Sequence, residues 1–159
     1  MSGDIFGNLR EWGHIPEQLE QLTKAGALDE HQEGLIRLLR YRDNWRLREM
    51  ALEAVRHLRS PEDKLLSEVL GVVTDDGLYC EVRIFAAKSL SALLAENAAQ
   101  YRHDGRSILC RVIQEIRMLL DSPQPPVIQE ALRECLAELD QDGRASCAPL
   151  ASPGRCGTG

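Results

Sequence analysis

The stretch Leu38-Leu39-Arg40-Tyr41-Arg42-Asp43-Asn44-Trp45-Arg46-Leu47-Arg48-Glu49-Met50-Ala51-Leu52-Glu53-Ala54-Val55 decides the fold, because the chain repeats it. A looser copy runs Val72-Val73-Thr74-Asp75 and then Val82-Arg83-Ile84-Phe85-Ala86-Ala87-Lys88-Ser89-Leu90. A third runs Leu119-Leu120-Asp121 and then Val127-Ile128-Gln129-Glu130-Ala131-Leu132-Arg133-Glu134-Cys135. Arg48 and Arg83 are 35 residues apart, and Arg83 and Ile128 are 45 apart. A period of a few tens of residues marks stacked supersecondary units, each burying its apolar side only against its neighbours.

Outward from that stretch the apolar residues recur every three or four positions, the spacing of one helix face. Leu35, Ile36, Leu38 and Leu39 form one stripe, with Asp29 expected to cap the helix. After Asp43-Asn44, Leu47, Met50, Ala51, Ala54, Val55 and Leu58 form the next. Ser60-Pro61-Glu62-Asp63 should stop one helix and start another, with Ser60 as cap and Pro61 in the first helical position. Leu65, Leu66, Val69, Leu70 and Val73 follow, then Val82, Phe85, Ala86, Ser89, Leu90 and Leu93 after the break Thr74-Asp75-Asp76-Gly77. A polar insertion from Asn97 to Arg106 explains the longer second spacing. Leu109, Val112, Ile113, Ile116, Leu119 and Leu120 mark a further helix, which the proline-rich Asp121–Pro126 turn ends. The last stripe is Val127, Ala131, Leu132, Cys135, Leu136 and Leu139. Upstream, Ile15 to Ala25 reads as a short helix stopped by Gly26, and Asp4 to Trp12 as another interrupted by Gly7.

The 159 residues suffice for one domain with a real core. Apolar content of 43% with only 4% aromatic residues leaves aliphatic side chains and alanine to fill it, which suits close-packed helices. A net charge of −6 argues against a protein held to nucleic acid by its overall field. No apolar run is long enough for a membrane span, and Met1–Ile5 lacks the features of a secretory signal. Five cysteines lie at 80, 110, 135, 147 and 156 without a Cys-x-x-Cys pair. The three in helical patterns read as buried thiols, a use that suits a reducing compartment and hence the cytoplasm or nucleus.

The pattern of paired leucines, a turn Asp, then Val or Leu followed by Arg and Ala resembles the unit of HEAT-type repeat proteins, relatives of the armadillo repeats. The resemblance covers about residues 30 to 139. It implies an all-α, right-handed α-solenoid of stacked antiparallel helical hairpins. It further implies a ladder in which the turn Asp and the Arg of the second helix bond between units. Asp43 with Arg48, and Asp75 or Asp76 with Arg83, match that pattern, whereas Ile128 replaces Arg in the third unit. Three segments are expected: an N-terminal partial repeat or cap over 1–29, the repeat domain over 30–140, and a disordered tail over 141–159, rich in glycine, proline, serine and alanine.

Chemistry-bearing motifs are sparse. The four histidines stand singly, and no zinc-protease helix, phosphate-cradling glycine loop or nucleophile elbow occurs. Neither catalysis nor a cofactor or metal is therefore expected. The strongest candidate surface is the arginine-rich span 37–59, where Tyr41 and Trp45 fall among guanidinium groups. Tyr41, Arg42, Trp45, Arg46, Glu49 and Arg56 are the partner-binding candidates, with Glu53, Lys88, Gln129 and Arg133 offering further polar contacts on the second helices. The expected function is a protein-binding scaffold or adaptor whose partner is an acidic peptide, since guanidinium forks match carboxylates and tryptophan is a common anchor. The alternatives are phosphate-backbone binding by the same arginines, with nucleic acid unlikely on net charge, and a purely structural segment of a longer array. The half-circle of apolar positions on the last helix suggests a face open to a second copy or partner through Ile128, Leu132 and Leu136.

Overall fold

A computed structural model gives the structure over residues 5–96 and 108–140. The insertion expected at 97–106 and the tail expected at 141–159 lie outside the described residues. Those described are all-helical, with no strand among them. A 3-10 turn (Leu9–His14) leads into α1 (Ile15–Ala25), and a second (Leu28–His31) into α2 (Gln32–Arg40). Then come α3 (Trp45–Val55), α4 (Asp63–Thr74), α5 (Cys80–Glu96), α6 (Ile108–Leu120) and α7 (Pro126–Asp140).

Local chemistry explains most boundaries. Gly26 ends α1 at φ +65°, and its N–H and that of Ala27 donate to the carbonyls of Thr23 and Leu22. The positive φ of Gly7 turns the chain before the first 3-10 segment, so the helix expected from residue 4 begins only at Leu9. Asn44 caps α3 by accepting a bond from the Arg46 N–H at 3.0 Å. The caps expected of Asp29 and Ser60 are not made. The Asp29 carboxylate instead accepts from the N–H groups of Arg59 and Ser60, and α4 starts after Glu62. Buried Gln32 ties the same loop, donating to the Ser60 carbonyl at 2.9 Å and accepting from the Glu62 N–H at 2.8 Å. The loop after α3 is thus fastened to the start of α2 from three residues on, which leaves its own polar groups no part in capping α4.

The helices pair as α2 with α3, α4 with α5 and α6 with α7. The first members of successive pairs pack on each other, α2 on α4 and α4 on α6, and so do the second members, α3 on α5 and α5 on α7. Hydrogen bonds also tie the second helices to one another, including one from Ser91 Oγ on α5 to the Glu138 carboxylate on α7. Ser89 Oγ on α5 donates to the Leu52 carbonyl on α3 at 3.0 Å, and Cys135 Sγ on α7 donates to the Ala87 carbonyl on α5 at 3.7 Å. Helix α5 is consequently covered on both flanks. It buries Ala86, Ala87, Ser89, Leu90, Ser91, Leu93 and Leu94, whose small members let neighbouring backbones approach.

Arg48 and Arg83, one period apart, repeat a single job. Each is buried, and each donates Nε to a carbonyl at the end of the preceding helix: Arg48 to Leu39 at 3.0 Å, Arg83 to Val73 at 2.9 Å. These carbonyls have lost their intrahelical partners, so the guanidinium satisfies what the helix end leaves open. Arg83 also reaches Gln124 Oε1 in the turn of the next pair at 3.0 Å. In place of the Asp–Arg bonds between units implied by the resemblance, the guanidinium groups of Arg48 and Arg83 bond these carbonyls. Asp75 spends its carboxylate on the Gly77 N–H and acts on Arg48 only through its field. Burial, then the nearby charge of Arg42, holds Arg48 below its ordinary value, while Asp75 works in the opposite direction.

Of the three cysteines expected as buried thiols, only Cys135 is one, since Cys80 is half-buried. Cys80 and Cys135 are free thiols, but Cys110 on α6 is disulfide-bonded. Burial, aided by the charge of Glu138, pushes the Cys135 thiol up to about 12. A thiol held protonated in the folded state contributes stability below the ordinary value of 9.0, and loses it as pH rises through about 12. Peptide-resolved alkylation of the folded protein at pH 8 is expected to label Cys80 well before Cys135. Equal labelling of the two would show that α7 does not seal its interface with α5.

Candidate aromatic groove between the second and fourth hairpin helices

The face of α3 turned toward α5 carries Trp45, Glu49 and Leu52, at i, i+4 and i+7. The facing side of α5 offers Val82 and Phe85 three residues apart, preceded by Tyr79 and joined by Glu81. Together they line a groove of about 240 Å³ with an almost wholly apolar surface. Leu52 is its buried floor, Val82 and Phe85 are half-buried, and Trp45 and Tyr79 stand above it at 54% and 77% exposure. Trp45 is exposed because it opens α3, outside the Leu47–Ala51–Leu52–Val55 stripe that enters the core. Arg46 lies against its indole, with the guanidinium carbon 5.6 Å from the ring centroid.

The six residues expected to meet a partner are divided by the fold. Trp45 and Glu49 line the groove, and Arg46 stacks at its edge. Arg56 sits just past the end of α3, 6.0 Å from the Phe85 ring and 3.9 Å from Glu53. It also borders a second, polar hollow shared with His57, Arg59 and Glu96. Tyr41 is half-buried and faces a different hollow, with Arg10, Arg37 and Arg40 against Gly7–Leu9. Arg42 is exposed in the turn. The arginines of span 37–59 therefore form no single patch. Arg48 is in the interior, Arg37 donates to the Gly7 carbonyl, and Arg40 pairs with Glu68 at 2.9 Å. The bond with Glu68 raises Arg40 above its ordinary value.

Ile128 and Leu132 are only 2% and 1% exposed, which corrects the expectation that α7 presents them to a second copy. Helix α5 covers one flank of α7 and α6 another, and this accounts for a half-circle of apolar positions without any outside partner. Leu136 is half-buried against the same core. Among the described residues, the large apolar side chains left exposed toward this end are Met118 and Val127.

Tyr79, Val82 and Phe85 escaped the sequence reading as site residues. A signal existed for Tyr79: it follows Trp45 by 34 residues, close to one period, so two successive units each place an aromatic ring at the start of the second helix. Val82 and Phe85 belong to the expected core stripe of their helix but are only half-buried, packed against the core while lining the groove. Among the described residues no three His, Cys, Asp or Glu side chains converge as metal ligands would. Nor is any described helix long and apolar enough to cross a membrane. Comparison with known proteins finds no matching family model, no similar curated protein and no similar solved structure.

Proposed function

We propose that the chain is a non-catalytic protein-binding module, a scaffold or adaptor whose hairpins stack as a right-handed solenoid of the HEAT type. The observation that carries the binding reading is the apolar groove between α3 and α5 with Trp45 and Tyr79 exposed at its mouth. Aromatic side chains raised beside a rigid apolar cleft are the usual anchors of protein interfaces. At about 240 Å³ the groove lies below the roughly 300–1,000 Å³ of pockets that enclose small molecules, which favours one inserted side chain over a cofactor. The alternating packing of first and second helices supports the solenoid reading. The dispersal of the arginines weighs against a phosphate-backbone surface, which needs several cations on one track.

The test is proximity capture from cells with wild type, Trp45→Ala and a Trp45→Ala, Arg46→Glu double variant. Partner recovery is expected to fall at least tenfold, while the melting temperature changes little because the indole is more than half exposed. Unchanged recovery would refute the groove as the binding surface. A stability loss of several kcal/mol would place the ring in the core instead.

A further inference from the structure

We propose that the occupant of the groove between α3 and α5 is a peptide segment bearing one large apolar side chain with a lysine or arginine beside it. This rests on the groove being the partner site, and it adds the chemistry of what enters. Among the described residues, Glu49 and Glu81 are the only charged side chains lining the groove, one on each helix. Both are exposed, and neither is engaged in an ion pair or side-chain hydrogen bond among the described residues. The neighbouring cations have contacts of their own: Arg46 lies over the Trp45 indole, Arg56 lies against Phe85 and Glu53, and Arg48 and Arg83 are buried on carbonyls. The lining thus carries two carboxylates without an ion-pair partner among the described residues around an apolar floor, with the guanidinium groups of Arg46 and Arg56 held on rings at its edges. A carboxylate arriving there would meet two like charges, whereas an ammonium or guanidinium would meet two partners and the open face of Tyr79. The acidic peptide expected from the arginine count is disfavoured at this surface, because those arginines do not line it.

The experiment is selection from a random displayed-peptide library on the immobilised full chain, repeated on Trp45→Ala and on a Glu49→Lys, Glu81→Lys variant. Thermal melts confirm that each variant is folded. Selected peptides are expected to share a Leu, Phe, Trp or Met with Lys or Arg within a few positions, and to disappear with Trp45→Ala. Changing the basic residue of a selected peptide to Glu should weaken binding by about tenfold at low salt, an effect that shrinks as salt rises. The double charge reversal should invert the preference. Selection of apolar anchors with acidic or neutral flanks, still dependent on Trp45, would overturn this inference and leave the protein-binding reading intact. No selection, or selection indifferent to Trp45→Ala, would overturn both. A wild-type dimer that Trp45→Ala dissociates would give the groove to a second copy, and would equally overturn the proposal.

Discussion

Leu90→Ala is expected to destabilise the protein by about 3–4 kcal/mol, lowering the thermal midpoint by on the order of 10 °C. Leu90 is fully buried on α5, the helix that packs against α3, α4 and α7 at once. Truncating its side chain to a methyl leaves a cavity in the interior, and close-packed neighbours can relax little into the space. Domain stabilities are about 5–15 kcal/mol, so this single truncation would use a large share. Met118→Ala is the control, since that side chain is 66% exposed and should change stability by less than about 0.5 kcal/mol. Urea unfolding of the two variants measures both numbers. A loss below about 1.5 kcal/mol at Leu90 would show that α5 is not the packed centre described here.

Arg83→Met is the second large effect, at about 2–3 kcal/mol. Methionine approximates the apolar stem of arginine but donates nothing, so the Val73 carbonyl at the end of α4 and Gln124 Oε1 both lose a charged donor. Arg83 is 3% exposed, and water cannot readily replace it. Part of the loss is offset because the variant no longer desolvates a cation. Gln124→Ala removes one of the two bonds and should cost about 1 kcal/mol. Because Gln124 belongs to the turn between α6 and α7, a double-mutant cycle between it and Arg83 measures the tie from one helix pair to the next. A coupling energy of zero would contradict the 3.0 Å bond.

The fold was legible wherever the periodic signal was strong. The helix containing Leu65 to Val73, the stripe from Leu47 to Val55, and the Arg48–Arg83 recurrence all correspond to described elements with nearly the expected limits. What sequence could not convey was destination. Asp29 and Ser60 have the chemistry of helix caps, yet both are drawn into bonds about thirty positions away, which no local rule encodes. The same holds for the charged span 37–59. Counting arginines suggested one cationic patch, but helical geometry aims Arg48 inward and separates Tyr41 from Trp45 onto different hollows. Ile128 and Leu132 were correctly seen as apolar, while their coverage depended on how α5 and α6 embrace α7. Of the groove, Trp45 and Glu49 were foreseen from composition and position. Tyr79 needed a comparison of one unit with the next.

The coverage of α5 on both flanks has a kinetic corollary. A helix that serves as party wall to two neighbours cannot peel away until one of them has left, so loosening must travel inward from the extremities. Backbone amides near Leu90 should therefore surrender their protons to deuterium last of all, and those of α1 and the end of α7 first. The ring of Tyr79 stands at the start of the wall itself and that of Trp45 on α3, one of the helices packed on it, so an incoming chain would lean on the slowest-yielding masonry among the described helices.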